Sequence, residues 1–181
     1  MKANRLVVLA CAAVALAFVP AVVSSQAVTP KTDVDAAFQL LAMQGNDAEI
    51  DMSQLALERS NALEVRGFAQ KMIAEHTDLM HRLVETIPSA AHPPARVNAL
   101  DRLALERLAT LPAADFDQEY IVQQIGDHLA TIDVFETEAR IGGDPVLKAF
   151  AARELPTIRA HLDLAVNEAK HIGGAGPFFQ H

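Results

Sequence analysis

Apolar residues recur at helical spacing along most of the chain, in long stretches that short polar or glycine- and proline-rich breaks interrupt. The spacing predicts four long helices over roughly 33–60, 62–87, 116–141 and 145–172, with a short leucine-rich helix over roughly 96–111. Ala, Leu, Glu, Gln and Arg dominate these stretches, and alternating runs of β-branched residues are absent. These residue types favour helix over strand, so the predicted fold class is all-α.

Residues at the breaks indicate where the helices begin and end. The run Gly142-Gly143-Asp144-Pro145 predicts a left-handed glycine cap, followed by Asp as the N-cap and Pro at the first helical position. Pro156 predicts a kink or a break inside the last helix, because proline lacks the backbone N–H that a helix needs. Three helix starts have the spacing of a capping box: Thr32 with Asp35, Asn61 with Glu64, and Asp115 with Gln118.

The lengths of the connections predict the topology. Short junctions near Asn61 and Gly142 make two antiparallel helix pairs, since a short loop leaves neighbouring helices side by side. The long segment 88–114 between the pairs can run along the bundle. This is the connectivity of a four-helix bundle with one long crossover that contains the short helix, as in ferritin-like folds. We expect the bundle to span 33–172 and the tail 173–181 to be flexible.

The N-terminus has the features of an export signal. Residues 1–27 carry two basic residues, an apolar run from Leu6 to Val23 and the sequence Ser25-Gln26-Ala27. This order is typical of a secretory signal peptide cleaved after Ala27, and it predicts a periplasmic or secreted bacterial protein. The alternative is an uncleaved helix that anchors the protein in a membrane, because the run is near the lower length limit for a spanning helix.

The composition narrows the range of functions. The chain has 181 residues, of which 51% are hydrophobic, and a net charge of −8. Removal of the leader would leave 13 basic against 23 acidic residues. Because nucleic acids require a basic face, nucleic-acid binding is not expected. The chain has a single cysteine, Cys11, which lies in the leader. One cysteine cannot form an intramolecular disulfide or a cysteine-based zinc site.

Each predicted long helix has an apolar stripe, and the polar residues on those stripes are the candidates for chemistry. They are Glu49 on the first long helix, His76 on the second, His128 on the third, and Glu154 and His161 on the fourth. At about 1.5 Å per residue, all of these except Glu154 lie roughly 20 Å from a hairpin end, which is mid-height in a bundle about 40 Å long. The sequence therefore predicts one carboxylate and three imidazoles at one level of the core.

Two arrangements would make these buried polar groups stable. In the first, one divalent transition-metal ion (Zn, Cu, Fe or Mn) binds the three imidazoles and Glu49, with Glu154 as an extra carboxylate if Pro156 bends its helix inward. In the second, the same groups form a hydrogen-bonded network that fixes the helix register, and Glu154 pairs with an arginine. A di-iron carboxylate centre is not favoured, because isoleucine stands three positions before each histidine, where such sites carry glutamate.

Several motifs lie in a fixed order between residues 35 and 168. They are EIDMSQLA (49–56), FAQKMIAEHT (68–77), FDQEY (116–120), His128, Phe135-Glu136, Leu155-Pro156 and His161-Leu162. In this order and spacing they resemble the bacterial DUF4142 family, whose members are exported and whose domain is assigned to the ferritin-like superfamily. The resemblance implies that the characteristic Glu and His positions of the family fall on Glu49, His76, His128 and His161. This chain has Asp51-Met52-Ser53 where many members have Leu-Gly, so the resemblance does not extend to close helix approach there.

The leading functional hypothesis is an exported ferritin-like bundle that binds one transition-metal ion in its core, for metal handling or protection against oxidative stress. The alternative is a non-catalytic helical module that binds envelope proteins, in which the Glu/His core is purely structural. A membrane would be a partner only if the leader stays uncleaved. The sequence has no Ser-His-Asp or Cys-His arrangement and no phosphate-binding glycine loop, so it assigns no catalytic residue, and it leaves the oligomeric state open.

Overall fold

The computed structural model describes residues 32–87 and 97–172, and every regular element in these ranges is a helix. The all-α prediction is therefore confirmed. No helix among the described residues is both long and apolar enough to cross a membrane. The expectations for the leader (1–27) and the tail (173–181) lie outside the described residues. The helices are α1 (Asp33–Arg59), α2 (Leu63–Thr86), the short α3 (Ala99–Thr110), α4 (Ala113–Ile141) and α5 (Pro145–Ile172).

The four long helices pack in a ring. Helix α1 contacts α2 and α4, and α5 contacts the same two helices from the other side. Across these contacts the late part of one helix meets the early part of its neighbour, as Ser53 does when it bonds to Tyr120. Neighbouring helices are therefore antiparallel, and α2 and α4 run in the same direction. The connection between α2 and α4 returns the chain along the bundle, and within it α3 packs on α1 and α4.

A layer of polar residues divides the buried core into two apolar halves. The half near the α1–α2 junction contains Met52, Phe68 and Tyr120. In the half near the α4–α5 junction, Phe38 packs edge-on against Phe135 at a centroid distance of 5.0 Å. The polar residues predicted for the core lie between these halves. Each half keeps its four helices in fixed rotation and height, so the layer between them is held from both sides.

The stripe predicted for α1 agrees with the observed burial apart from the half-buried Gly45, and the stripe predicted for α4 agrees less well. Every stripe residue predicted for α2 and α5 is buried. On α4, Ile125, Ile132 and Ala139 are only half-buried, while Gln124 and Glu138 are fully buried. The buried face of α4 therefore includes polar positions that an apolar stripe does not contain.

Two predicted helix starts are confirmed. Thr32 and Asp35 form the capping box of α1, with the Asp35 N–H donating to the Thr32 hydroxyl. Asp144 caps α5, since its Oδ1 accepts the Val146 N–H at 2.8 Å, and Pro145 follows as the first helical residue. Helix α5 then continues through Pro156 without a break.

Two other predicted helix starts are wrong. Helix α2 begins at Leu63 behind Ala62, whose methyl side chain cannot cap it. The Ser60 hydroxyl accepts the Ala62 N–H at 3.1 Å and closes a tight junction there. Helix α4 begins at Ala113, and Asp115 lies inside its first turn. The cause is Pro112, whose carbonyl oxygen accepts the Asp115 N–H at 3.0 Å and so opens the helix earlier.

Of the two glycines predicted to form a left-handed cap, Gly142 does not adopt that conformation. Its φ is −55° and its ψ is 151°, a backbone conformation that any residue can adopt. Space explains the glycine instead, because a Cβ at this position would lie 2.1 Å from Oε1 of Glu138. The buried Glu138 carboxyl therefore takes the place of a side chain at the end of α4.

The Asp35 carboxylate connects the start of α1 to the α4–α5 junction. Its Oδ2 accepts from the Thr32 backbone and hydroxyl, and its Oδ1 accepts the N–H groups of Gly143 at 2.8 Å and Asp144 at 3.0 Å. Burial raises the pKa of Asp35, but these hydrogen bonds outweigh it and lower the pKa to about 2.

We expect Asp35→Asn to lower the free energy of unfolding by about 2–3 kcal/mol near pH 7, because a neutral amide cannot replace the charge-assisted bonds to two junction N–H groups. Since the folded-state pKa of Asp35 is below its unfolded value, this stabilisation is present above about pH 4 and is lost as the pH falls towards 2. Urea denaturation at neutral and acidic pH measures the difference. Asp33→Asn, at an exposed position in the same turn, is the matched control, and an equal loss in both variants would contradict the assignment.

Candidate metal centre

Three buried histidines from three helices meet in the polar layer. His76 of α2, His128 of α4 and His161 of α5 are 3%, 1% and 1% exposed. Their ring centroids lie 5.2–5.6 Å apart. One ring nitrogen from each histidine lies within 4.8 Å of the nitrogens from the other two.

The tautomer of His76 follows from its contact with Asn46. The Asn46 side-chain nitrogen donates to the Ala42 carbonyl at 2.8 Å, which leaves its oxygen to face the histidine. His76 Nδ1 lies 2.8 Å from that oxygen and must therefore carry the proton. Nε2 of His76 is then an unprotonated acceptor, and it is buried without a hydrogen-bond partner among the described residues.

The other two histidines follow the same rule through different acceptors. His128 Nδ1 lies 2.8 Å from the Gln124 carbonyl oxygen, which can only accept, so Nδ1 donates. His161 Nε2 lies 2.5 Å from the Glu75 carboxylate and donates to it. Within residues 32–87 and 97–172, Nε2 of His128 and Nδ1 of His161 are buried and have no hydrogen-bond partner.

The result is three imidazoles that each hold a proton on one side and offer a lone pair on the other. Burial lowers the pKa of all three rings, most strongly that of His76, whose neighbours His128 and His161 would repel a second charge. The rings are therefore neutral at neutral pH. A neutral imidazole whose other nitrogen donates to a carboxylate or carbonyl is the arrangement that metal-binding histidines have in proteins.

Glu49 lies in the same layer but not within the group of three nitrogens. Its Oε1 is 3.6 Å from Nδ1 of His128, the nitrogen that bonds to the Gln124 carbonyl. Glu49 is 4% exposed, and neither of its oxygens accepts a hydrogen bond of good geometry. Burial raises the pKa of Glu49 to about 8, an effect that the nearby Gln124 amide reduces and Asp101 increases. The place of Glu49 among the ligands stays a prediction.

Glu154 is held by arginines. Its carboxylate lies 2.9 Å from Nη2 of Arg82 and 3.0 Å from Nε of Arg153. Burial raises the pKa of Glu154, but the two guanidinium groups outweigh it and lower the pKa. The geometry favours the salt bridge over the alternative in which Glu154 is an extra ligand.

A comparison with known protein families finds a match over most of the chain. The family model described as Domain of unknown function (DUF4142) matches residues 20–167, which is most of the chain. The chain belongs to the DUF4142 family. No curated protein and no solved structure gives a significant match to it. Because the family is described as a domain of unknown function, membership does not assign a reaction to this DUF4142 chain.

Sequence reasoning missed the residues that orient the histidines of this DUF4142 chain. Asn46 stands three positions before Glu49, on the same side of α1, and a search for buried amides at that spacing would have found it. Glu75 directly precedes His76 and bonds to a histidine on a different helix, which no local pattern indicates. Gln124 acts through its backbone carbonyl, and any residue would provide that group.

We expect the histidine cluster to disfavour folding of the metal-free protein in acid. The unfolded chain takes up protons below about pH 6.5 that the folded rings exclude, so the contribution of each ring to the free energy of unfolding falls as the pH drops, by up to about 1.4 kcal/mol per pH unit. The buried carboxyl of Glu49, whose pKa is raised, contributes in the opposite sense, because the folded chain holds its proton at a pH where the unfolded chain has released it. His76→Asn places an amide nitrogen where Nδ1 stood, which keeps the donor to Asn46 and removes one titrating ring. Between about pH 6.5 and 5, acid should therefore lower the stability of this variant less than that of the wild-type chain.

The measurement is urea denaturation in the presence of a chelator, with His81→Asn as the control. His81 is exposed on the same helix. If His76→Asn retains the full wild-type dependence on pH, His76 is not kept neutral by the fold as described.

Proposed function

We propose that this DUF4142 protein binds one divalent transition-metal ion through His76, His128 and His161. The observation that carries the proposal is the set of three buried ring nitrogens, one from each histidine, that have lone pairs and no partner. Nitrogens in a tetrahedral site lie about 3.4 Å apart when each is about 2.1 Å from the metal. Small side-chain shifts bring nitrogens within 4.8 Å of one another to that spacing.

A purely structural network explains these nitrogens less well. A buried acceptor without a hydrogen bond costs about 1–3 kcal/mol, and here three such acceptors belong to rings whose centroids lie 5.2–5.6 Å apart. A network that served only the helix register would pair these nitrogens with donors. It does pair the other nitrogen of each ring, here called the outer nitrogen, with an acceptor on Asn46, Gln124 or Glu75. A metal ion would satisfy all three lone pairs at once.

The donor set restricts the metal and leaves one position open. Imidazole nitrogens suit zinc, copper and iron, while manganese prefers oxygen ligands such as Glu49. Three protein ligands leave a fourth position for water or for a carboxylate. A bound ion would supply Lewis acidity or, for copper and iron, redox chemistry.

The proposal also includes the cellular setting. Residues 1–27 would export the chain to the periplasm, and the four long helices would belong to a ferritin-like bundle. The parallel course of α2 and α4 supports this, because it requires one long crossover between two antiparallel pairs. The protein would then handle metal or protect against oxidative stress in the cell envelope.

Metal content and melting temperature test the proposal. We expect the untagged protein to bind about one zinc or copper ion per chain, and an ion present at about 100 times its Kd to add about 2.7 kcal/mol of stability. His128→Asn and His161→Gln keep the outer donor nitrogens and remove the inner ones. Each variant should lose more than about 100-fold in metal affinity and remain helical by circular dichroism.

His81→Asn is the control, because His81 is exposed and lies outside the cluster. If the wild-type chain binds none of these metals at micromolar concentration and a chelator leaves its melting temperature unchanged, the metal proposal fails. The cluster would then be the polar core of a helical module that binds other envelope proteins.

A further inference from the structure

A cavity of about 120 Å³ leads from the surface to the polar layer, between α1, α3 and α4. At its outer end lie the exposed residues Leu41 and Ala130, and at its inner end lie the buried residues Glu49 and His76. At about 30 Å³ per water molecule, the cavity has room for about four waters or a partly hydrated ion. It therefore connects solvent to one of the three histidines.

Apart from His76, the ionisable groups on the described cavity wall are all acidic. Glu49, Asp101 and Asp127 line the cavity, and no lysine or arginine does so among the residues that the structure describes. Asp101 accepts a hydrogen bond from Asn98 at 2.6 Å, and Asp127 accepts from the Gln123 amide at 2.9 Å. Glu49 has no such donor, although it is the most deeply buried of the three.

This distribution of charge attracts a cation and directs it inwards. A cleft with low-dielectric walls and charges of one sign concentrates oppositely charged ions. Glu49 lies deepest of the three, and among the described residues neither of its oxygens accepts a hydrogen bond of good geometry. An arriving cation would give these buried oxygens a partner.

We propose that this cavity is the route by which a divalent cation reaches the three histidines. Asp101 and Asp127 draw the hydrated ion in, and Glu49 holds it next to His76 before the imidazole nitrogens replace its water. The inference rests on the proposed function, since it concerns entry to that same centre. It gives Glu49 a role in delivery, whether or not its carboxylate remains bound to the metal afterwards.

The first test removes charge from the route. Stopped-flow absorbance after mixing the metal-free protein with Co²⁺ measures the rate of uptake. At low ionic strength we expect the double variant Asp101→Asn/Asp127→Asn to take up Co²⁺ about tenfold more slowly and to bind about one ion per chain at saturation. Asp133→Asn/Asp163→Asn removes the same charge from exposed positions outside the cavity and should change the rate less than about twofold.

The second test blocks the route without changing charge. Gly45 lines the cavity, and a Cβ there would meet no atom within 4 Å, so a larger side chain can leave the backbone at this position without a clash at its first atom. Gly45→Leu should slow both the uptake of Co²⁺ and its release to a chelator by about tenfold or more, with little change in Kd. Gly126→Leu adds the same side chain at an exposed helical position outside the cavity and should leave both rates unchanged.

The outcomes separate this inference from the proposed function. Slow uptake in the cavity variants with normal kinetics in both controls supports the route. If the wild-type protein binds Co²⁺ but the cavity variants take it up at the wild-type rate, the route is wrong and the histidine centre stands. If the wild-type protein binds no Co²⁺, zinc or copper at all, both proposals fall together.

Discussion

The hydrogen bond on the outer side of each imidazole is the constraint on which the rest of the site depends. Asn46, the Gln124 carbonyl and Glu75 each accept the proton of one ring. Once those protons are fixed, the remaining nitrogens can only be acceptors, and the fold places them where no donor reaches. The three histidines are thereby oriented, already in the metal-free protein, to bind an ion through these nitrogens.

Burial of this polar layer lowers the stability of the fold, and the packing of the two apolar halves of the core compensates for it. Unpaired acceptors and a buried carboxyl each reduce stability. Packing of Phe38 and Phe135 on one side, and of Met52 and Tyr120 on the other, offsets this loss and holds the helices at fixed height. Where a fold is well packed elsewhere, buried polar groups that lack hydrogen-bond partners indicate a functional site.

Much of this architecture could be predicted from the sequence, because it depends on periodicity and length. Helical spacing predicted five helices, and the rise per residue placed His76, His128 and His161 at one height before any contact was known. The helix starts at Asn61 and Asp115 were predicted wrongly, because Ser60 bonds the Ala62 N–H at one junction and the Pro112 carbonyl opens α4 two residues before Asp115 at the other. The spacing of a capping box does not reveal these bonds from neighbouring residues.

What the sequence could not predict is which way each side chain turns and what it meets on another helix. Glu49 lies at the predicted height, yet its carboxylate approaches the outer nitrogen of His128 and the wall of the cavity. The bond from His161 to Glu75 joins residues far apart in the chain. These features depend on the rotation of each helix about its axis, which the packing of all four long helices decides together.

The protonation state of the three imidazoles tests the central claim most directly. Long-range ¹H–¹⁵N correlation spectra of the metal-free protein, assigned by substitution, report which nitrogen of each ring carries the proton. The account predicts a proton on Nδ1 of His76, Nδ1 of His128 and Nε2 of His161, and a shift of the three opposite nitrogens on addition of zinc. A different tautomer at any of the three, or opposite nitrogens that do not respond to zinc, would contradict it.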